Sequence, residues 1–226
     1  PKNDKAAVKW YTLAAEQGGA EAQSNLGFMY EYGKGVPKND KTAVKWYTKA
    51  SEQGYAQAQY YLGVMYAQGK GVPKNDKTAV KWYTLAAEQD YAGAQFNLGT
   101  MYYTGRGVPK NDKAAVKWYT LAAEQGGAEA QSNLGFMYEY GKGVPKNDKT
   151  AVKWYTKASE QGYAQAQYYL GVMYAQGKGV PKNDKTAVKW YTLAAEQDYA
   201  GAQFNLGTMY YTGRGVPKND KAAVKW

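Results

Sequence analysis

Apolar residues recur three and four positions apart in two successive segments of this chain. In residues 4–17, Ala7, Trp10, Tyr11 and Ala14 share one face, with Val8 and Ala15 flanking it. Lys5, Lys9, Thr12 and Glu16 fall on the opposite side. That spacing predicts an amphipathic helix, stopped by Gly18. Residues 19–32 carry Ala22, Leu26, Met29 and Tyr30 on one side and predict a second helix ending at Gly33. Ala22 and Gly27 are small enough to let a neighbouring helix come close. The helical pattern then breaks at Gly33-Lys34-Gly35-Val36-Pro37-Lys38-Asn39-Asp40. Its glycines free the backbone to turn, and its proline blocks continued helix. Asp40 is of a type that caps a helix N-terminus and is expected to open the next helix.

The whole pattern repeats. Prolines at 1, 37, 73, 109, 145, 181 and 217 and tryptophans at 10, 46, 82, 118, 154, 190 and 226 both step by 36 residues. Residues 1–108 recur without change as 109–216, and 217–226 repeat 1–10. Asp90 and Asp198 stand where other units have the helix-stopping glycine, so the left-handed turn is expected to persist there at some cost. A helix pair of this length cannot bury its apolar faces alone, but stacked pairs can. The expected organisation is one all-α solenoid over residues 1–226, six two-helix units and a helical stub. Trp10 is expected in its core and Leu13 at its surface.

Ala22, Leu26-Gly27, Tyr30, Gly33-x-Gly35-Val36, Asp40, Ala43, Trp46-Tyr47, Ala50 and Gly54 resemble the Sel1-like repeat, a relative of the tetratricopeptide repeat. The period of 36 and the Gly-x-Gly-Val loop favour it over its 34-residue cousin. Ser51 and Ser159 depart from the usual Ala-Ala pair. The resemblance implies a right-handed α/α superhelix that serves as adaptor or scaffold, with no catalytic residues.

The three units of one block differ among themselves at only some positions of the second helix. They agree at Ala20, Ala22, Gln23, Leu26, Gly27, Met29 and Tyr30, which occupy one half of the helix at about 100° per residue. The differing positions fill the remaining arc. They are Glu21, Ser24, Asn25, Phe28, Glu31 and Tyr32 in the first unit. In the second they are Gln57, Tyr60, Tyr61, Val64, Ala67 and Gln68. In the third they are Gly93, Phe96, Asn97, Thr100, Tyr103 and Thr104. In the resembled architecture this arc lines the concave groove and is the expected partner surface. Its aromatic, neutral-polar character suits an extended peptide, a glycan or a packed copy of the chain. The alternative is that individual rings fill gaps between adjacent helices.

Charge and composition narrow the chemistry. There is no His and no Cys, which excludes imidazole catalysis, thiolates and disulfides. No cofactor or metal site is expected, and no run of apolar residues is long enough to span a membrane. The net charge of +10 comes from lysines, with Arg106 and Arg214 the only arginines. Lys2, Lys5 and Lys9 recur every 36 residues as ladders. They form either a solvated face or a stripe for an anionic polymer. The scarcity of arginine and the absence of aromatics among these lysines argue against nucleic acid. The expected function, as the resemblance implies, is a non-enzymatic protein-interaction scaffold. Two alternatives stand beside it. One is a fibre subunit continuing head to tail through the solenoid ends, extracellular or periplasmic, for which the exact repetition speaks, although an engineered consensus array is expected to show the same repetition. The other is the lysine ladder bound to an anionic polymer.

Overall fold

The computed structural model describes residues 3–226, among which there are helices and turns and no strands. Thirteen helices follow one another: α1 (Asp4–Glu16), α2 (Ala20–Tyr32), α3 (Asp40–Glu52), α4 (Ala56–Gln68), α5 (Asp76–Ala87), α6 (Ala92–Thr104), α7 (Asp112–Glu124), α8 (Ala128–Tyr140), α9 (Asp148–Glu160), α10 (Ala164–Gln176), α11 (Asp184–Ala195), α12 (Ala200–Thr212) and α13 (Asp220–Lys225). The bounds of α1 and α2 lie within a residue of those expected from periodicity. The fold is an all-α solenoid of helix pairs. The described residues up to 118 and residues 119–226 form two compact units.

The punctuation between helices differs from expectation in one respect. The cap is Asn39, not Asp40: its side chain accepts the Thr42 N–H at 3.0 Å from an extended backbone. Asp40 is instead the first helical residue, where its charge favours the positive end of the helix dipole. Asn75, Asn147, Asn183 and Asn219 repeat the arrangement. Gly33 ends α2 in the left-handed region at φ 63°, and the Lys34 N–H closes onto the Met29 carbonyl at 2.9 Å. Gly35 serves a different purpose. A Cβ there would lie 2.4 Å from the Asp4 carbonyl oxygen, so the loop rests directly on the start of α1. Asp90 and Asp198 do adopt the left-handed turn, at φ 61° and 62°.

The core is built between neighbouring helices. Val8, Ala15, Leu26 and Met29 form one cluster, against which Trp46 of the next pair packs. Val44, Tyr47, Leu62 and Met65 form the next, covered by Trp82. Trp190 and Trp226 take the same part in the second unit. Trp10 departs from expectation: it is 64% exposed, because the tryptophan packs on the preceding pair and none precedes it among the described residues. Leu13 is exposed, as expected. Gly27 lets α2 pass the flat Tyr47 ring, which a Cβ would meet at 2.7 Å.

Buried glutamines join the pairs. Gln23 donates to the Ala15 carbonyl at 3.1 Å, and its own Oε1 accepts from Gln53 Nε2 at 2.9 Å. Gln53 Nε2 also reaches the Gly18 carbonyl at 3.0 Å. Gln89 and Gln59 repeat this relay, as do Gln161 with Gln131 and Gln197 with Gln167.

Candidate interaction surface

The six second-of-pair helices present the differing arc as three rows in each unit, on α2, α4 and α6 and on α8, α10 and α12. Glu21, Tyr32, Gln68 and Thr104 are exposed. Asn25, Phe28, Gln57, Tyr60, Tyr61, Val64, Phe96, Asn97, Thr100 and Tyr103 are half-buried. Two residues expected on this surface lie inside instead. Ser24 is buried and its hydroxyl faces Gln57 Oε1 at 3.5 Å. Glu31 is only 4% exposed.

Glu31 is held at both oxygens. Oε2 accepts from the Tyr47 hydroxyl and Oε1 from Lys70 Nζ, each at 2.8 Å. Glu139, Tyr155 and Lys178 form the same trio in the second unit. Burial, and then the Glu31 charge, push the Tyr47 hydroxyl far above the ordinary phenol range. The hydrogen bond to Glu31 raises Lys70 despite partial desolvation. One unit on, position 67 is Ala, and the loop cation takes another partner. Arg106 grips Asp76 with NH2 at 3.0 Å and Nε at 3.4 Å. Tyr83, the counterpart of Tyr47, hydrogen-bonds Asn97 and is pushed up to about 12, chiefly by burial.

The aromatic residues form a connected stripe. Phe28 and Tyr32 have centroids 4.6 Å apart, and Phe28 lies 6.3 Å from Tyr61. Tyr61 stacks on Tyr47 at 5.4 Å, and Tyr60 contacts Tyr91 at 5.0 Å. Tyr60 and Tyr61 thus fill gaps between helices while keeping part of each ring open. Lys34 Nζ sits 4.8 Å over the Phe28 ring, and Lys70 Nζ 5.8 Å over Tyr32. In the second unit a recess of about 280 Å³ opens between α10 and α12. Tyr168, Val172, Gln176, Asn205 and Thr208 line it, with Arg214 at its side. By sequence these are the counterparts of Tyr60, Val64, Gln68, Asn97 and Thr100.

The Lys5 and Lys9 ladders lie on the first helix of each pair, the described members of the Lys2 ladder, from Lys38 on, lie in the loops before those helices, and Lys2 itself falls outside the described residues. Contrary to the reading of the sequence, aromatics are interleaved with them. Lys9, Lys81, Lys117 and Lys189 lie 4.7–5.4 Å from the rings of Trp10, Trp82, Trp118 and Trp190. Among the described residues, no group of acidic side chains is placed to hold a metal ion, and no helix is long and apolar enough to cross a membrane. The glutamine relay and the loop cations over the rings went unread in the sequence. Their signal was present in the constancy of Gln17 and Gln23, and of a cation at position 34, at every step of 36.

Seven consecutive matches to the Sel1 repeat cover residues 1–19, 20–55, 56–91, 92–127, 128–163, 164–199 and 200–226. The chain belongs to the Sel1 repeat family. Sel1 repeats in general act as protein-interaction scaffolds. Among solved structures, this Sel1 repeat chain is similar to a protective antigen of uropathogenic Escherichia coli with an SLR fold. The identity is 40% and the TM-score 0.92, over 96% of this chain and 46% of that one. The chain thus spans just under half the length of that antigen. A Sel1 repeat protein from Oxalobacter formigenes is 34% identical with a TM-score of 0.84, over 100% of this chain and 96% of that one. An immunity protein from Pseudomonas aeruginosa is 26% identical with a TM-score of 0.51, over 86% and 75%. No curated protein matches the sequence.

Proposed function

We propose that this Sel1 repeat chain is a non-enzymatic scaffold that holds an extended peptide of a partner protein along the differing arc of its second-of-pair helices. The observation that carries this reading is the recess between α10 and α12. Tyr168, Val172, Ala175, Gln176, Asn205 and Thr208 of its lining are positions that vary from unit to unit, set over the constant Tyr191 and Met209. Apolar walls from Tyr168 and Val172 combine there with the amides of Gln176 and Asn205, a mixture that seats a side chain and holds a peptide backbone. Ser24 and Glu31 drop out of this surface because they serve the joints between pairs. Asn25, Phe28, Tyr32, Val64, Gln68, Asn97, Thr100 and Thr104 remain its principal members.

The test is to select peptides on the chain from a displayed random library, then measure them against a filled variant. Val64→Trp with Val172→Trp occupies the recess at both copies of the position. Selected peptides should lose most of their affinity for the filled chain while its melting temperature stays within a few degrees. Unchanged binding to a folded, filled chain would place the interaction elsewhere.

A further inference from the structure

The first-of-pair helices carry a charged face that the groove does not use. Lys41 and Lys45 stand one turn apart on α3, as do Lys77 and Lys81 on α5. Lys149 and Lys153 on α9, and Lys185 and Lys189 on α11, repeat them in the second unit. All are exposed, and none has an ion-pair partner among the described residues. The carboxylates that open these helices are engaged elsewhere. Arg106 holds Asp76 at 3.0 Å, Arg214 holds Asp184 at 2.9 Å and Lys146 holds Asp148 at 3.1 Å. Asp40 lies in the field of Lys70. Glu52, Glu88, Glu160 and Glu196 sit at the opposite ends of the same helices. Lysines four apart on a helix repel each other, and α3 and α9 lengthen the row with Lys49 and Lys157. The glutamines set these helices side by side: Gln53 and Gln89 reach the turns that end α1 and α3, and Gln197 reaches the turn that ends α9. Positive charge therefore gathers on each unit without an internal partner.

Apolar groups share this face. On α5 and α11 the rows run Lys77, Lys81, Leu85 and Lys185, Lys189, Leu193, each in steps of four residues. Leu85 and Leu193 are 37% exposed, and neither lies on the first or last helix. A lone exposed leucine is ordinary on a protein surface. Here it ends a row of unpaired lysines and neighbours half-buried Trp82 or Trp190, whose ring lies 5.2 or 5.3 Å from the Lys81 or Lys189 ammonium. Lysine lays its apolar stem along such groups while its ammonium reaches outward. Tryptophan is enriched where apolar and aqueous phases meet. A soluble polyanion makes no use of the leucines, and the scarcity of arginine speaks against reading of bases. From this juxtaposition we infer that the first-of-pair helices dock on the surface of an anionic lipid bilayer. The lysines meet the headgroup phosphates, and Leu85 and Leu193 enter the headgroup boundary. The chain lies on the bilayer in this arrangement, since no described helix is long and apolar enough to cross one. A net charge of +10 attracts it to such a surface at long range. This face is separate from the groove and leaves the second-of-pair helices open to a partner.

The experiment uses the full chain and vesicles of two kinds, phosphatidylcholine alone and phosphatidylcholine with about one-third phosphatidylglycerol. Co-sedimentation reads affinity. The chain should bind the anionic vesicles at least about tenfold more tightly than the neutral ones at low salt, and lose most of that preference at high salt. Lys41→Gln, Lys77→Gln, Lys149→Gln and Lys185→Gln together should weaken binding to anionic vesicles by at least about tenfold. Leu85→Ser with Leu193→Ser should weaken it by about threefold or more. Both variants should melt within a few degrees of the parent, because every substituted side chain is exposed. The filled variant Val64→Trp with Val172→Trp should bind vesicles like the parent, so this surface and the groove can fail separately. Equal binding to both kinds of vesicle, or binding that ignores the four lysine substitutions, would overturn the anionic contact. Vesicle binding unchanged in the leucine pair would overturn the bilayer as the partner. Duplex DNA bound by that variant as tightly as the vesicles would then assign the lysine rows to soluble polyanions.

Discussion

The Tyr47 hydroxyl donates to Glu31 Oε2 at 2.8 Å from a ring that is fully buried against Gly27 of the helix carrying Glu31. Removing that hydroxyl leaves a buried carboxylate oxygen without its donor. Tyr47→Phe is therefore expected to cost about 1–3 kcal/mol. Tyr83→Phe, whose hydroxyl faces a neutral amide, is expected to cost less. Urea denaturation of the two variants checks the order. Equal losses would show that the carboxylate finds water in place of the phenol.

Gly63 stands in the same relation to Tyr83 as Gly27 does to Tyr47. In an open helix Gly→Ala would stabilise by about 1 kcal/mol. Here the added Cβ would lie 2.7 Å from two carbons of the ring, so overpacking should win. Gly63→Ala is expected to destabilise by about 1–3 kcal/mol. A thermal melt that rises on this substitution would show that the ring yields without cost.

Ser51 and Ser159 are buried, and neither Oγ has a hydrogen-bond partner. Their counterparts Ala15 and Ala87 fill the same place without a hydroxyl. Ser51→Ala with Ser159→Ala is expected to raise stability by about 1 kcal/mol per site, read as a higher urea midpoint at unchanged slope. A fall in the midpoint would mean that the hydroxyls are satisfied in solution.

Alkaline pH should unfold the chain early. Burial pushes Tyr83 and Tyr191 up to about 12, and Tyr47 and Tyr155 beyond that range. An unfolded tyrosine ionises near about pH 10. Below that value both states keep the proton and stability is complete. Between about pH 10 and 12 the unfolded chain releases protons that the folded chain retains, so stability falls with rising pH. Denaturation midpoints across that window, followed by phenolate absorbance, check the sign. Tyrosines that titrate before the fold is lost would contradict the burial.

Much of this architecture was legible in the sequence because a repeat prints its own contact map. Positions constant from unit to unit, such as Leu26 and Gly27, turned out to be the packing surface, and the left-handed turn at Asp90 was readable from the glycines at its counterparts. Glu31 was not legible in the same way. It varies between units, which reads as freedom from packing, yet it is buried because Lys70, 39 residues on, folds back to meet it. Trp10 misled for the opposite reason: its face was read correctly, but the pair it packs on is the preceding one. Asn39 and Asp40 are both plausible caps by residue type, and only the backbone angles distinguish them.

The glutamine relay adds a bond from the next pair to the turn that ends a first-of-pair helix, beyond the backbone closure in which the Gly18 and Gly19 N–H groups reach the Ala15 and Ala14 carbonyls. The Ala15 and Gly18 carbonyls are satisfied by Gln23 and by Gln53, the latter from the end of α3. Loss of order in α3 therefore removes a bond from the turn that ends α1, and loss of order in α5 removes one from the turn that ends α3 through Gln89. Within each unit, unfolding should spread toward the N-terminus more readily than away from it. Amide exchange would record this as a graded, one-directional fraying.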